Sequence, residues 1–377
     1  MKKNTVIDLF SGAGGLSLGA ARAGFTLAGA VELDKNAIAT HQKNFPKVTH
    51  LAEDIACLSG NALLEKCNLA AGELTGLIGG PPCQGFSAIG PKDPKDSRNE
   101  LFGHFMRLVA ETQPVFFAAE NVPGIMLEKN RSTVDRALTH VEKDYVLLTP
   151  FEAKANLLGA PTIRTRLFFI GIRKDKASGI DSDIFKDMPA FENVNVTAAL
   201  KGLPEEISAE WKGKSTWGEA QALPKGYFND RVQSEIPNGL GDPETLKLYI
   251  EKRSVSGCVG TIHSPELTKR YGDLLPGSRD PISRSSRLEP EGYCPTLRAG
   301  TGPDKGSYQA VRPIHPSQPR VITPREAARL QGFPDWFWLP EAKWHAFRQI
   351  GNSVSPLVAE AVLNQVAKSL GFLQPNP

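Results

Sequence analysis

The chain has 377 residues, 40% hydrophobic and 23% charged, with a formal net charge of +3. That length supplies one large domain or two ordinary ones with a sizeable core, and the mild basicity permits nucleic-acid binding without arguing for it. The five cysteines lack C-x-x-C spacing and the longest apolar runs are short, which excludes a disulfide framework, a structural zinc and a membrane helix of roughly 20 residues as expectations and favours a reducing interior.

The N-terminal run Thr5-Val6-Ile7 is cut by Asp8 too soon for a signal peptide. Residues 6–10 read as a short strand. Ser11-Gly12-Ala13-Gly14-Gly15 follows, then a helix over 16–23 closed by Gly24. A second strand over 27–32 leads to a helix over 35–44 that stops before Pro46. This is a β-α-β unit whose first-turn glycines let a ligand approach the backbone. The spacing is not the G-x-G-x-x-G of dinucleotide enzymes, and no Walker A sequence is present. Glu32, at the end of the second strand, is placed to accept from ribose hydroxyls. Asp54, after a third short apolar stretch, can accept from an adenine amino group. Each carboxylate alone also fits a helix cap or a solvated loop. Together with the glycine turn they point to an adenosine-type ligand.

The strand end Leu77-Ile78 stops at Gly79-Gly80, and Pro81-Pro82 stiffens the backbone directly before Cys83. A thiol is nucleophilic only as thiolate, and a rigid turn at the carboxyl end of a strand can both lower its pKa and aim it. The charged, proline-containing stretch 91–98 reads as a lid. A helix over 100–112 then leads to a fully apolar strand over 115–119 that delivers Glu120-Asn121-Val122. A carboxylate at the carboxyl end of a buried strand is a site candidate by position. Arg164-Thr165-Arg166 opens a strand over 167–171, and alternation expects both guanidiniums on one side.

From 176 to 339 the texture changes to short elements punctuated by Gly, Pro, Ser and Thr. Cations cluster late, at Lys269, Arg270, Arg279, Arg284, Arg287 and Arg298. Such loops suit phosphate contacts and base-edge reading, although a charge cluster alone also fits a solvated face. A helix over 354–370, with an apolar stripe from Leu357 to Leu370, must pack on a larger body.

With these residues in order, the chain resembles a cytosine-C5 DNA methyltransferase of the bacterial type. Asp8-Leu9-Phe10-Ser11-Gly12-Ala13-Gly14-Gly15 resembles the family's S-adenosylmethionine loop, and Pro81-Pro82-Cys83-Gln84 its nucleophile motif. Glu120-Asn121-Val122 resembles its acid motif and Arg164-x-Arg166 its arginine motif. The stretch from Arg320 to Pro334 resembles the hallmark after the recognition region, and Gln349 to Val354 the final motif that completes the cofactor pocket. Two departures stand out. Thr162 occupies the usual glutamine position before the arginine pair, and Leu33 replaces a frequent aromatic beside the ribose carboxylate.

The resemblance implies an α/β fold: a Rossmann-like, mixed seven-stranded sheet with helices on both faces. It implies a catalytic domain over 1–180 plus 346–377 and a smaller loop-rich recognition domain over 181–345, with DNA between them. It implies that Cys83 adds to cytosine C6, Glu120 serves N3, Arg166 binds the base carbonyl and Arg164 shapes the pocket. S-adenosylmethionine, without a metal, would be held by Phe10, Gly12, Ala13, Gly14, Gly15, Glu32, Leu33, Asp54, Ile55, Gly80, Pro82, Asn352 and Val354. Double-stranded DNA would be held by Gln84, Ser87, Arg98, Arg279, Arg284, Arg287 and Arg298. A cytoplasmic monomer paired functionally with a restriction endonuclease, and with no membrane, is the implied setting. A tRNA cytosine methyltransferase on the same fold is one alternative, but the long 176–315 region and Gln331-Gly332-Phe333-Pro334 favour DNA. A catalytically silent DNA-binding regulator is another, and the presence of both Cys83 and Glu120 argues against it. A small-molecule dehydrogenase fits the β-α-β unit alone.

Overall fold

The computed structural model describes residues 4–82, 100–208, 216–299 and 312–372. Nine strands bear on the site: β1 (Thr5–Leu9), β2 (Thr26–Val31), β3 (Thr49–Leu51), β4 (Gly76–Gly79), β5 (Phe116–Asn121), β6 (Tyr145–Leu147), β7 (Phe151–Lys154), β8 (Thr162–Ile163) and β9 (Thr165–Arg173). All but β8 form one sheet, ordered β3-β2-β1-β4-β5-β9-β6, with β7 also on β9. The first five are parallel, and β9 is antiparallel to β5, β6 and β7. The mixed sheet therefore has seven positions, as expected, but eight strands. β6 and β7 share the last position: Leu148 N still donates to Ile170 O (2.9 Å), and then Pro150, which has no N–H, interrupts the ladder.

The continuous apolar strands are explained by burial on both faces. Val6, Ile78, Phe116 and Ala118 join one core, while Ile7, Leu77, Phe117 and Ala119 join the other. Helices α1 (Gly15–Arg22), α2 (Lys35–Asn44), α3 (Gly60–Lys66), α4 (Leu101–Thr112) and α5 (Arg131–Leu138) supply the connections and cover the sheet. From β1 the strand order runs one way to β2 and the other way to β4. The crevice at such a switch point, outside the carboxyl ends of the strands, is where open α/β sheets bind ligands.

The second half contributes α6 (Val196–Leu200), α7 (Tyr227–Asn229), α8 (Pro243–Lys252), α9 (Pro265–Asp273), α10 (Pro324–Leu330), α11 (Lys343–Asn352) and α12 (Pro356–Ser369). α12 returns to α1 so closely that a Cβ on Gly19 would stand 2.3 Å from Ala359 Cβ. One core runs across the expected boundaries at 181 and 345. Val196, Phe228, Val255, Ile322, Trp336 and Leu339 join the same core as Val6 and Phe168. A separate small cluster is limited to Tyr271, Ile314 and Val321, with Leu267 and Leu274 against it. Through these side chains the segments 194–258 and 322–339 extend the main core.

α10 is buried throughout, charges included. Its start is a capping box, with Thr323 Oγ1 accepting from Glu326 N (3.2 Å) and Glu326 Oε2 from Thr323 N (2.7 Å). Arg325 donates to the carbonyls of Ser256, Pro334 and Phe337. Arg329 pairs with Asp335 at 2.6 Å and donates to Ala199 O at 3.1 Å. This stretch is a hub that ties four chain segments together. No helix among the described residues is long and apolar enough to cross a membrane.

Candidate active site

Leaving β1, the chain turns sharply: Phe10 has φ 60°, Gly12 φ 55° and Gly14 φ 103°. Left-handed backbone is costly for a bulky residue, so Phe10 is held there by its surroundings. Glu32 ties the loop to the end of β2, its Oε2 accepting from Gly12 N (2.9 Å) and its Oε1 from Asp34 N (2.8 Å). Burial raises the Glu32 pKa above the usual carboxylate value, opposed by those two N–H groups. Leu33 beside it is 63% exposed. Asp54 Oδ1 caps the turn that contains Ile55, accepting from Ala56 N (2.9 Å), and Ile55 itself is buried.

Two glycines in this loop are crowded and one is open. A Cβ on Gly14 would meet Phe45 at 2.3 Å, and one on Gly15 would meet Val354 O at 2.2 Å. Nothing lies within 4 Å of the Cβ position on Gly12. Ser11 Oγ is buried without a hydrogen-bond partner among the described residues. The exposed Leu33, the Glu32 and Asp54 carboxylates and the open backbone at Gly12 fit an adenosyl ligand: acceptors for hydroxyls and an amino group, and an apolar contact for a ring. The final motif forms the wall behind, with Val354 buried against Gly15 and Asn352 exposed. Gln331 Nε2 donates to Ser353 O (3.0 Å) and holds that wall to α10.

Behind the loop lies a polar chain that the sequence did not announce. The fully buried Asp8 accepts from Ser17 Oγ at 2.5 Å. Ser17 Oγ lies 2.9 Å from His41 Nε2, and His41 Nδ1 lies 2.8 Å from His50 Nε2. Burial pushes the Asp8 pKa up to about 7, with Glu32 adding to the rise, and pushes His41 well below the ordinary histidine value.

The second half of the site gathers at the ends of β4 and β5, which pair in register as Gly79 with Ala119. Asn121 Nδ2 donates to Pro81 O (3.3 Å), anchoring the Pro81-Pro82 turn. A Cβ on Gly80 would stand 3.2 Å from Glu120 Oε2, so that turn passes directly by the carboxylate. Glu120 Oε1 lies 2.8 Å from Arg166 Nε but receives no aligned hydrogen bond. Charge holds the pair, and Oε1 keeps capacity for another donor. Arg164 reaches the same cluster by another route. Its carbonyl accepts from Ala155 N, and its buried side chain donates from Nη1 to Leu297 O (3.2 Å). Burial lowers the Arg164 pKa to about 9, and nearby Arg166 adds to this. Cys83, Gln84, Ser87 and Arg98, with the lid stretch, lie outside the described residues.

The four recognition arginines separate by environment. Arg279, Arg284 and Arg298 are exposed. Arg287 is not available as expected for DNA: its guanidinium donates to the carbonyls of Pro316, Tyr271, Gly272 and Leu274 at 2.9–3.0 Å. Three of those carbonyls, of Tyr271, Gly272 and Leu274, close the C-terminal end of α9, where the helix leaves its last carbonyls without a partner, so the arginine serves the framework. No group of three or more metal-ligating side chains occurs among the described residues.

The profile of the family described as C-5 cytosine-specific DNA methylase matches residues 4–368. The Type II methyltransferase M.XorII of Xanthomonas oryzae pv. oryzae is 36% identical over 97% of this chain and 84% of its own length. A crystal structure of an E. coli prophage-encoded DNA modification methyltransferase superposes with TM-score 0.88 and 49% identity, over 97% of this chain and 99% of that one. The S. pombe Dnmt2 methyltransferase shares the fold, with TM-score 0.61 and 17% identity over 98% of this chain and 100% of that one. A profile match over nearly the whole chain, on a fold that brings the glycine loop, Glu120 and Arg166 to one end of the sheet, has one reading: the chain belongs to the C-5 cytosine-specific DNA methylase family.

Proposed function

We propose that this enzyme methylates C5 of a cytosine turned out of duplex DNA within a short target sequence, as the protective half of a restriction-modification pair. The observation that supports it most directly is the Glu120–Arg166 contact at 2.8 Å beside the Gly80-Pro81 turn. Two groups suited to N3 and to the carbonyl of one pyrimidine stand together where β5 ends and β9 begins. The base must leave the stack to reach them, at a cost of a few kcal/mol.

Cytosine C5 is a poor nucleophile. In this reading, the Cys83 thiolate forms a C–S bond at C6, and the C5=C6 π electrons move so that C5 becomes enamine-like. Glu120 donates a hydrogen bond or proton to N3 and stabilises the charge that addition creates. Arg166 donates to the base carbonyl, and Arg164 holds the pocket wall. When bound, S-adenosylmethionine supplies the electrophilic methyl group. Glu32 and Asp54 would accept from its ribose and adenine, Leu33 and Phe10 would flank the ring, and Asn352 with Val354 would close the far side. Loss of the C5 proton and breakage of the C–S bond regenerate the thiolate. Of the four recognition arginines, Arg279, Arg284 and Arg298 are exposed and would contact DNA.

The pairing with an endonuclease follows the relatives' description as Type II methyltransferases. Bisulfite sequencing of duplex DNA treated with the enzyme tests the reading. A single repeated context of protected cytosines is expected, and it disappears with Cys83→Ser. An unmodified duplex, or full modification by Cys83→Ser, rejects it.

A further inference from the structure

One short segment joins the recognition half of the chain to the catalytic arginines. Cys294–Pro295 runs parallel to β8, with Cys294 opposite Thr162 and Pro295 opposite Ile163. Four hydrogen bonds hold the segment at Cys294, Thr296 and Leu297. Cys294 N donates to Pro161 O (3.0 Å), and Thr162 Oγ1 donates to Cys294 O (3.0 Å). Thr296 Oγ1 donates to Ile163 O (2.6 Å), and Arg164 Nη1 donates to Leu297 O (3.2 Å). Thr162, Arg164, Cys294 and Leu297 are all buried.

The next residue reaches the cofactor side. A Cβ on Gly351 would stand 2.5 Å from the Arg298 carbonyl carbon, so the backbone of Arg298 lies flat on the turn that carries Asn352 and Val354. The same segment therefore touches the arginine motif at one end and the wall of the glycine loop at the other.

Leu297 O is the one acceptor of the Arg164 side chain among the described residues, and Arg164 Nε is buried without one. A guanidinium has five donors in a rigid fork, so a single fixed acceptor decides where the fork points. That acceptor is fixed in turn by register. In an extended segment a slip of one residue would turn every side chain to the other face. The parallel ladder with β8 fixes that register, and the Thr162 hydroxyl adds a side-chain donor to the buried Cys294 carbonyl that a slip would forfeit.

We propose that Cys294–Arg298 is a positioning strap: the ladder with β8 and the Thr162 hydroxyl together hold its register, and the Leu297 carbonyl then aims Arg164 beside Arg166 and Glu120. Thr162 and Leu297 are positioning residues for the reaction. This explains why a threonine serves at 162 in this chain. Its short hydroxyl reaches a backbone carbonyl of the recognition region. The inference rests on the roles given above to Glu120, Arg164 and Arg166.

Thr162→Val, a near-isosteric change, tests it. The expected result is a fall in kcat of roughly 10–100-fold, the scale for a displaced catalytic group. Duplex affinity and cofactor affinity stay unchanged, and Thr162→Ser restores kcat. Thr296→Val, at an exposed position, gives a smaller fall in the same direction and decides the matter if Thr162→Val does not fold. The strap is overturned if kcat is unchanged in a folded variant, if duplex affinity falls in step with kcat, or if serine does not rescue. Wild-type protein runs alongside: absence of methyl transfer by wild type rejects the proposed function itself, whereas an active wild type with an equally active Thr162→Val rejects only the strap.

Discussion

The Cβ that Gly15 lacks would stand 2.2 Å from the carbonyl oxygen of Val354. The first motif of the chain and its last thus touch, backbone to backbone, with no room for a methyl group between them.

Gly15→Ala should therefore cost about 1–3 kcal/mol of stability, because the obstacle is backbone and cannot swing aside. Cofactor affinity should fall with it. Gly12→Ala behaves differently. Its Cβ meets nothing within 4 Å but carries the strain of φ +55°, about 1 kcal/mol. It would occupy the open cradle, so cofactor affinity should fall more than stability. Thermal melting and cofactor titration of the two variants check the contrast.

Arg166→Ala removes the cation that faces Glu120. With the pair proposed to act on one base, the loss should appear in chemistry, with single-turnover methyl transfer slowed by roughly 10²–10⁴. Glu120→Gln should slow it comparably. Cofactor affinity should be intact in both, since neither side chain belongs to the glycine loop. Equal losses of cofactor binding would separate these residues from the catalytic role.

Stability should carry the signature of Asp8. Burial raises its folded pKa to about 7 from 3.8, so between these values the folded chain holds a proton that the unfolded chain has lost. The stabilisation is complete below about pH 4 and is lost as pH rises towards 7, on the order of 1 kcal/mol per pH unit. His41 works in the opposite sense. Its pKa is pushed well below 6.5, so the unfolded chain takes up the extra proton in acid, and that term rises with pH up to about 6.5. Subtracting the unfolding profile of Asp8→Asn from that of wild type isolates the first term. A difference that stays flat from pH 4 to 7 would contradict it.

Arg284 and Arg287 lie close in sequence and should fail in different assays. Arg287→Ala strands four carbonyls and should lower the melting temperature. Arg284→Ala, on an exposed side chain, should leave melting unchanged, weaken duplex binding and reduce its salt dependence by about one counterion. A filter-binding salt titration on the two variants reads the difference.

Much of this architecture is legible in the sequence because it is local. Leu77-Ile78 and Phe116 to Ala119 are apolar on every position, and Val6 to Leu9 on all but Asp8, the mark of strands covered on both faces, and the chemistry stands at or just past their ends. Pro81-Pro82 and Glu120 stand there. What stayed hidden depends on partners distant in sequence. Arg287 reads as a phosphate contact until its four carbonyls are seen. Arg325 and Arg329 read as a charged motif, but their acceptors come from Ser256, Ala199, Pro334 and Asp335. The change in texture from 176 to 339 likewise says nothing of packing: Val196, Ile322 and Trp336 share the core of Val6. Ser17, His41 and His50 are unremarkable on α1, α2 and β3 separately. Only the order in which those elements pack makes them a chain.

The return of α12 to α1, and of Val354 to Gly15, bears on how the protein is made. Both lie beyond every strand of the sheet in chain order. On the ribosome, the glycine loop, Glu120, Arg166 and the recognition arginines emerge first and wait with one wall of the cradle missing. Val354 and α12 follow all of these and bring that wall against Gly15 and Gly19. A chain that stops short of Val354 would carry the carboxylate and the arginines with that face of Gly15 uncovered.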